Sequence, residues 1–158
     1  MDNPTETLAA LNALCSENPW DVSILSNASA FLFESFGQIN WTGFYLVRNG
    51  ELLLGPFAGK PACTSIHPGC GVCGTALKEN KTLNVPDVHL FPGHIACDSA
   101  SNSELVIPLA VNGNIIGVLD TDSPLLNRFS SEDQMFWESA AKIIAHSLEN
   151  CPFKVLIP

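Results

Sequence analysis

The chain has 158 residues, 46% hydrophobic and 15% charged, a globular composition sized for one domain with one core. Its net charge is −9 and its Lys and Arg residues occur singly, which excludes a nucleic-acid surface built on clustered cations. The longest apolar runs, at 105–110 and 115–119, fall far short of the ~20 residues of a membrane helix. The opening MDNPTETL lacks the basic and apolar regions of a secretory signal, so the cytoplasm is the expected compartment.

In chain order, Asn3-Pro4-Thr5-Glu6 supplies an N-cap, a Pro at the first helical position and an early Glu, and Leu8, Leu11, Leu14 and Cys15 follow at helical spacing. A second helix is predicted from Asp21, with Val22, Leu25, Leu32 and Phe36 on one side and Gly37 as its C-terminal cap. Residues 39–47 are aromatic and β-branched; Asn49-Gly50 then provides a tight turn and 51–57 returns as the second strand of a hairpin. The stretch 58–73 has no periodicity, a short helix follows Gly74, and 82–85 reads as a brief strand. After a second irregular stretch, 86–102, the segments 104–111 and 115–122 form another hairpin around Asn112-Gly113. Ser130 and Asp133 cap a last helix whose inward stripe is Phe136, Ala140, Ile143, Ile144 and Leu148; the apolar tail CPFKVLIP has no predicted place. The expected fold class is α+β, an antiparallel central sheet packed by N- and C-terminal helices, and its two long loops mark the functional region.

Six cysteines in a chain with a full-size core and no secretory signal point to reactive, metal-binding or buried thiols rather than a disulfide framework. Cys63, Cys73 and Cys97 sit in or beside the two loops. Ser99, Ser101 and Asn102 near Cys97 are donors for a thiolate, Asp98 opposes them, and a helix start just after Cys73 would lower its pKa. Cys70 and Cys73 form a CxxC, and with Cys63 and Cys97 a four-thiolate zinc site is the sharpest rival, although no second CxxC is present. Trp41, Gly43 and Tyr45 share one strand face, giving two aromatic walls around a gap, or simply core. Asp120 and Asp122 share a face at a strand end, with Glu104 starting the neighbouring strand. Such carboxylates raise one another's pKa and could hold an ammonium group and a proton, or simply end a solvated strand. His89 and His94 lie in the second loop, where they could orient donors. On these grounds alone a ligand-binding domain is as defensible as an enzyme.

The strings NWTGFYL, LGPFAGKPAC, GVCGTA, VPDVHLFPGHIACDSASNSE, IPL and GVLDTDS, spread from Asn40 to about Phe129, resemble the free methionine-(R)-sulfoxide reductase family. The resemblance implies a single GAF domain over 1–158 and reduction of free L-methionine-(R)-sulfoxide to methionine. By that likeness Cys97 is the nucleophile, Cys63 the main resolving thiol and Cys73 an auxiliary one. Glu104 is an acid that also contacts substrate, and Trp41, Tyr45, Asp120 and Asp122 bind substrate. The likeness implies no bound cofactor or metal, electrons from thioredoxin or a similar dithiol, and leaves a homodimer open. Pairing of Cys63 with Cys97 would bring the two loops together, Cα atoms within about 7 Å. Backbone N–H groups near 71–75 are expected to meet the substrate carboxylate. Cys70 departs from the family pattern, and Cys15 and Cys151 read as structural. The alternative is a GAF domain that senses a small molecule or redox state without turnover.

Overall fold

The computed structural model describes residues 3–95 and 97–158; Met1, Asp2 and the Ala96 of the second loop lie outside them. Helices α1 (Pro4–Ser16) and α2 (Asp21–Ser35) precede the hairpin β1 (Trp41–Arg48) and β2 (Glu51–Gly59). A two-residue strand β3 (Ser65–Ile66), helix α3 (Gly71–Glu79) and strand β4 (Leu83–Val85) follow. A 3-10 turn (Val88–Leu90), the hairpin β5 (Ser103–Val111) and β6 (Asn114–Ser123), and α4 (Ser131–Asn150) complete the chain. The strands form one antiparallel sheet in the order β3-β2-β1-β6-β5-β4.

Local chemistry explains most boundaries. The Asn3 side chain accepts from the Thr5 and Glu6 N–H groups at 3.1 and 3.3 Å, and Ser130 with Asp133 closes a reciprocal capping box on α4. Both hairpin turns carry positive φ at both central residues, 52° and 83° at Asn49-Gly50 and 51° and 76° at Asn112-Gly113. That is the turn whose twist matches the flanking strands. The end of α2 differs from expectation: the backbone is already extended at Phe36, and Gln38, not Gly37, takes the left-handed conformation at φ 65°. The Phe36 ring is the cause. It leaves the helix to pack in the core, 5.7 Å from the Phe136 ring and 5.1 Å from Trp137.

The sheet buries both faces. Phe44, Leu46, Leu105, Ile107, Leu109 and Leu119 face the layer of α1, α2 and α4, where Leu11, Leu25, Leu32, Trp137, Ile144 and Leu148 are completely enclosed. Alternate residues point the other way. Trp41, Tyr45, Val106 and Val118 pack with Val72, Cys73 and Ala76 of α3 and with Val88, and this smaller core floors the site.

The tail is held by charge. Asp21 is fully buried in the first turn of α2, and its Oδ2 accepts from the N–H groups of Val155, Leu156 and Ile157 at 2.8, 2.7 and 3.0 Å. Arg48 donates to the Val155 and Leu156 carbonyls, and Trp20 pairs with Phe153. Replacing Asp21 strands three amide donors, so Asp21→Ala is expected to cost about 3 kcal/mol of unfolding free energy in urea. A loss below about 0.5 kcal/mol, the size of an ordinary surface change, would refute this clamp.

Candidate active site

The register of three strands assembles the polar floor. Across the sheet Trp41 lies opposite Asp122 and Asp122 opposite Glu104; one step along, Gly43 lies opposite Asp120 and Asp120 opposite Val106. Trp41, Asp122 and Glu104 thus form one cross-strand row and Asp120 the next, all on the face away from the large core. Gly43 is required where it stands, because a Cβ there would run into the Cβ of Phe57 and the Pro56 carbonyl. The expected gap between two aromatic walls is not found. Trp41 and Tyr45 stack on each other, ring centres 5.9 Å apart and 25° from parallel, and Trp41 stacks again on Phe57 at 5.4 Å. They make one continuous wall.

This wall and the carboxylates line a pocket of about 510 Å³, open solvent at its mouth included. Cys70, Gly71, Val72 and Cys73 of the α3 start line it as well, as do His94, Ile95, Cys97 and Asp98 of the second loop. Cys63 and Cys97 are joined by a disulfide across 34 residues, with Cα atoms 5.5 Å apart, so the two long loops do meet. Their union removes the four-thiolate set, and Cys15, Cys70, Cys73 and Cys151 are free. Cys15 and Cys151 are buried away from the pocket, and burial pushes the Cys15 thiol up to about 11.

Cys73 does not precede a helix; it lies inside the first turn of α3, which starts at Gly71. Its thiol is not activated as the sequence suggested. Burial, then the charges of Asp120 and Glu104, hold it well above the usual thiol range, and its sulfur sits 3.8 Å from Glu104 Oε1. The same crowding keeps protons on the acids. Burial and the neighbouring Asp120 and Asp122 hold Glu104 well above the carboxylate range, burial lifts Asp120 to about 7, and burial with Asp120 raises Asp122. Tyr45 is raised by burial and the same carboxylates. One oxygen of Asp120, Oδ1, is buried without a partner.

Sequence reasoning named His94 in the second loop without its partner, and missed Asn40. His94 Nε2 lies 3.7 Å from Glu104 Oε2, its side chain 15% exposed, and burial, then His89, lowers its pKa. Asn40 donates to Asp98 Oδ2 at 3.1 Å and to Ser101 Oγ at 3.0 Å. Asp98 is thus held in place beside Cys97 by the Asn40 amide. The Ala100 N–H, then Asn40 and Lys60, hold its carboxylate below the usual range, where it braces the loop. The Tyr45 hydroxyl donates to the Cys63 carbonyl at 3.0 Å, and the Trp41 indole to that of Lys60 at 3.1 Å. His89 is turned to Asp87 at 2.8 Å, outside the pocket lining.

The GAF domain profile matches residues 13–148. The free methionine-R-sulfoxide reductase of Escherichia coli is 52% identical over 136 residues, 84% of this chain and 82% of that protein. The chain belongs to the GAF-type free methionine-(R)-sulfoxide reductase family. Among solved structures, the reduced form of the Staphylococcus aureus protein is similar at 48% identity and TM-score 0.90, covering 92% of this chain and 95% of that one. The Neisseria meningitidis free methionine-R-sulfoxide reductase, solved in complex with its substrate, is similar at 42% identity and TM-score 0.89, covering 92% of this chain and 88% of that one. Antiparallel sheet and helical layers agree with the α+β GAF fold expected from sequence. Among the described residues no helix is long and apolar enough to cross a membrane.

The buried acids carry a stability cost with a definite sign. Asp120, raised from 3.8 to about 7, favours the fold while it stays protonated; that contribution is complete below the unfolded pKa and is lost as pH rises towards 7. Asp120→Asn should therefore gain about 2–4 kcal/mol on the wild type between pH 4 and pH 8, measured by urea unfolding with the disulfide intact. Parallel stability profiles for the two proteins would contradict the assigned protonation.

Proposed function

We propose that this chain reduces free L-methionine-(R)-sulfoxide to L-methionine as one cytoplasmic GAF domain, 1–158. The observation that carries this reading is the Cys63–Cys97 disulfide at a pocket floored by Glu104, Asp120 and Asp122. A redox-active sulfur pair beside buried proton-bearing acids is what sulfoxide reduction requires. The sulfoxide oxygen is a poor leaving group until protonated, so attack by sulfur needs an acid in reach. Glu104, held neutral by burial and its neighbours, supplies that proton. Sulfur of Cys97 attacks the substrate sulfur, oxygen passes to Cys97, methionine leaves, and the Cys97 proton makes good the one Glu104 gave. The thiol of Cys63 then displaces water from the Cys97 sulfenic acid, forming the disulfide. A thioredoxin-type dithiol supplies the two electrons that reopen it, and no bound cofactor is needed.

The remaining residues hold the free amino acid. Asp120 and Asp122 take its ammonium group; the unpartnered Asp120 oxygen favours this. The stacked wall of Trp41 and Tyr45 receives the methyl end. Gly71 and Val72, lining the pocket at the α3 N-terminus, support a carboxylate contact through backbone N–H groups. Cys73 is an auxiliary resolving thiol, kept protonated first by its burial and then by its acidic neighbours. Relatives point the same way: the E. coli protein is named for this reaction, and the N. meningitidis structure holds its substrate.

Separated R and S sulfoxides, free and peptide-bound, test the reading in a coupled dithiol assay. Turnover confined to the free R form is expected; turnover of the S form alone, or binding with none, would reject it. Cys97→Ser should abolish methionine release. Cys63→Ser should release about one equivalent rapidly and then slow by at least about tenfold, because the sulfenic acid lacks its main partner. An undiminished steady state in Cys63→Ser would move the resolving role elsewhere.

A further inference from the structure

The floor of the pocket contains three side chains, each with a role in the proposed reaction, whose donor atoms also fall together at metal-binding spacing. Cys73, Glu104 and Asp120 come from α3, β5 and β6, yet one sulfur and two carboxylate oxygens lie within 4.8 Å of one another. All three residues are buried. We propose that Cys73, Glu104 and Asp120 form a binding site for a divalent cation of the zinc class, and that its occupation excludes the sulfoxide.

Geometry carries the assignment. Zinc bonds of about 2.3 Å to sulfur and 2.0–2.2 Å to nitrogen or oxygen put neighbouring tetrahedral ligands roughly 3.5 Å apart. Cys73 Sγ is 3.8 Å from Glu104 Oε1, and the sulfur and the two carboxylate oxygens all lie within 4.8 Å of one another. A second observation points independently to a ligand: Asp120 is 5% exposed, lines the pocket, and has Oδ1 without any partner. An ammonium group would satisfy that oxygen but gives no reason for a buried sulfur beside it. Sulfur with carboxylate suits a borderline cation, whereas magnesium and calcium take oxygen ligands. On binding, Cys73 gives its thiol proton to solvent and bonds through the thiolate, and any proton on the two carboxyls leaves the same way. Cys73 lies outside the Cys63–Cys97 disulfide, so the site persists in oxidised protein. This set differs from the four-thiolate arrangement, which that disulfide eliminates.

Binding does not depend on the proposed reaction; only its inhibitory consequence rests on that reading, through the shared Glu104 and Asp120. Cobalt(II) titration of the protein with its disulfide intact reads the first directly. One equivalent and a thiolate-to-cobalt charge-transfer band are expected, with zinc displacing the cobalt. Cys73→Ser should lose the band. The isosteric Asp120→Asn should weaken binding by at least the 10–100-fold that outer-shell partners alone command. Cys70→Ser should change neither. No band in the wild type, or a band that survives in Cys73→Ser, overturns the site. In a single-turnover assay of pre-reduced protein without added thiol, zinc should raise the sulfoxide concentration needed for half-maximal methionine release by at least tenfold, reversed by chelator. Cobalt binding without that competition overturns the exclusion while leaving the reductase reading intact. Failure of the untreated protein to turn over would instead fall on that reading.

Discussion

The antiparallel register of β1, β6 and β5 sets Trp41, Asp122 and Glu104 in one cross-strand row and Gly43, Asp120 and Val106 in the next. Because side chains alternate with period two, a slip of one residue in β6 would turn Asp120 and Asp122 toward the face occupied by Phe44, Leu105 and Leu119. That face is closed by three helices and packed with apolar side chains, where a carboxylate would lose its water. The large apolar core thus specifies the register, and the register assembles the acids. Two tight Asn-Gly turns fix the β1–β2 and β5–β6 pairings from their ends, and β1–β6 pairing joins the hairpins.

The two faces of the sheet have opposite energetics. On the helical side Leu11, Leu25, Leu32, Trp137 and Leu148 are enclosed in a largely apolar core, and each buried aliphatic side chain contributes about 1.5–3 kcal/mol. On the other side, carboxyls and a thiol sit where their charged forms are disfavoured, so Glu104, Asp120, Asp122 and Cys73 all retain protons above their ordinary ranges. Asp98, which brackets the same pocket, shows the contrast. Supplied with the Ala100 N–H and Asn40 donors, it shifts the other way. Burial keeps protons on the floor acids, and hydrogen-bond supply keeps Asp98 charged.

What could be read from the sequence was local. The caps on α1 and α4 and both hairpin turns depend on residues within three or four positions of one another, and they form as read. Strand alternation gave the faces of Trp41, Glu104, Asp120 and Asp122, hence the acid cluster. It could not give ring packing, so the two aromatic walls of the sequence reading are one stacked pair. Misplacing the α3 start by three residues reversed the environment of Cys73, from a helix entrance to a buried turn facing acids. Contacts spanning the chain left no signal. The tail reaches Asp21 across more than a hundred residues, and His94 meets Glu104 only through the fold of an irregular loop.

Strand β1 ties the aromatic wall to both sulfurs. Tyr45, part of the wall, binds the Cys63 carbonyl, while Asn40, immediately before β1, binds Asp98, the neighbour of Cys97. Neither tether uses a sulfur atom, so reduction of the disulfide does not itself break either. Loop-closure entropy for a 34-residue separation would otherwise oppose re-formation of the bond. Two hydrogen bonds to one rigid strand remove much of that freedom before the thiols meet. In the proposed cycle one strand thus carries both the aromatic wall proposed to meet the substrate's methyl end and a tether to the loop of the resolving sulfur.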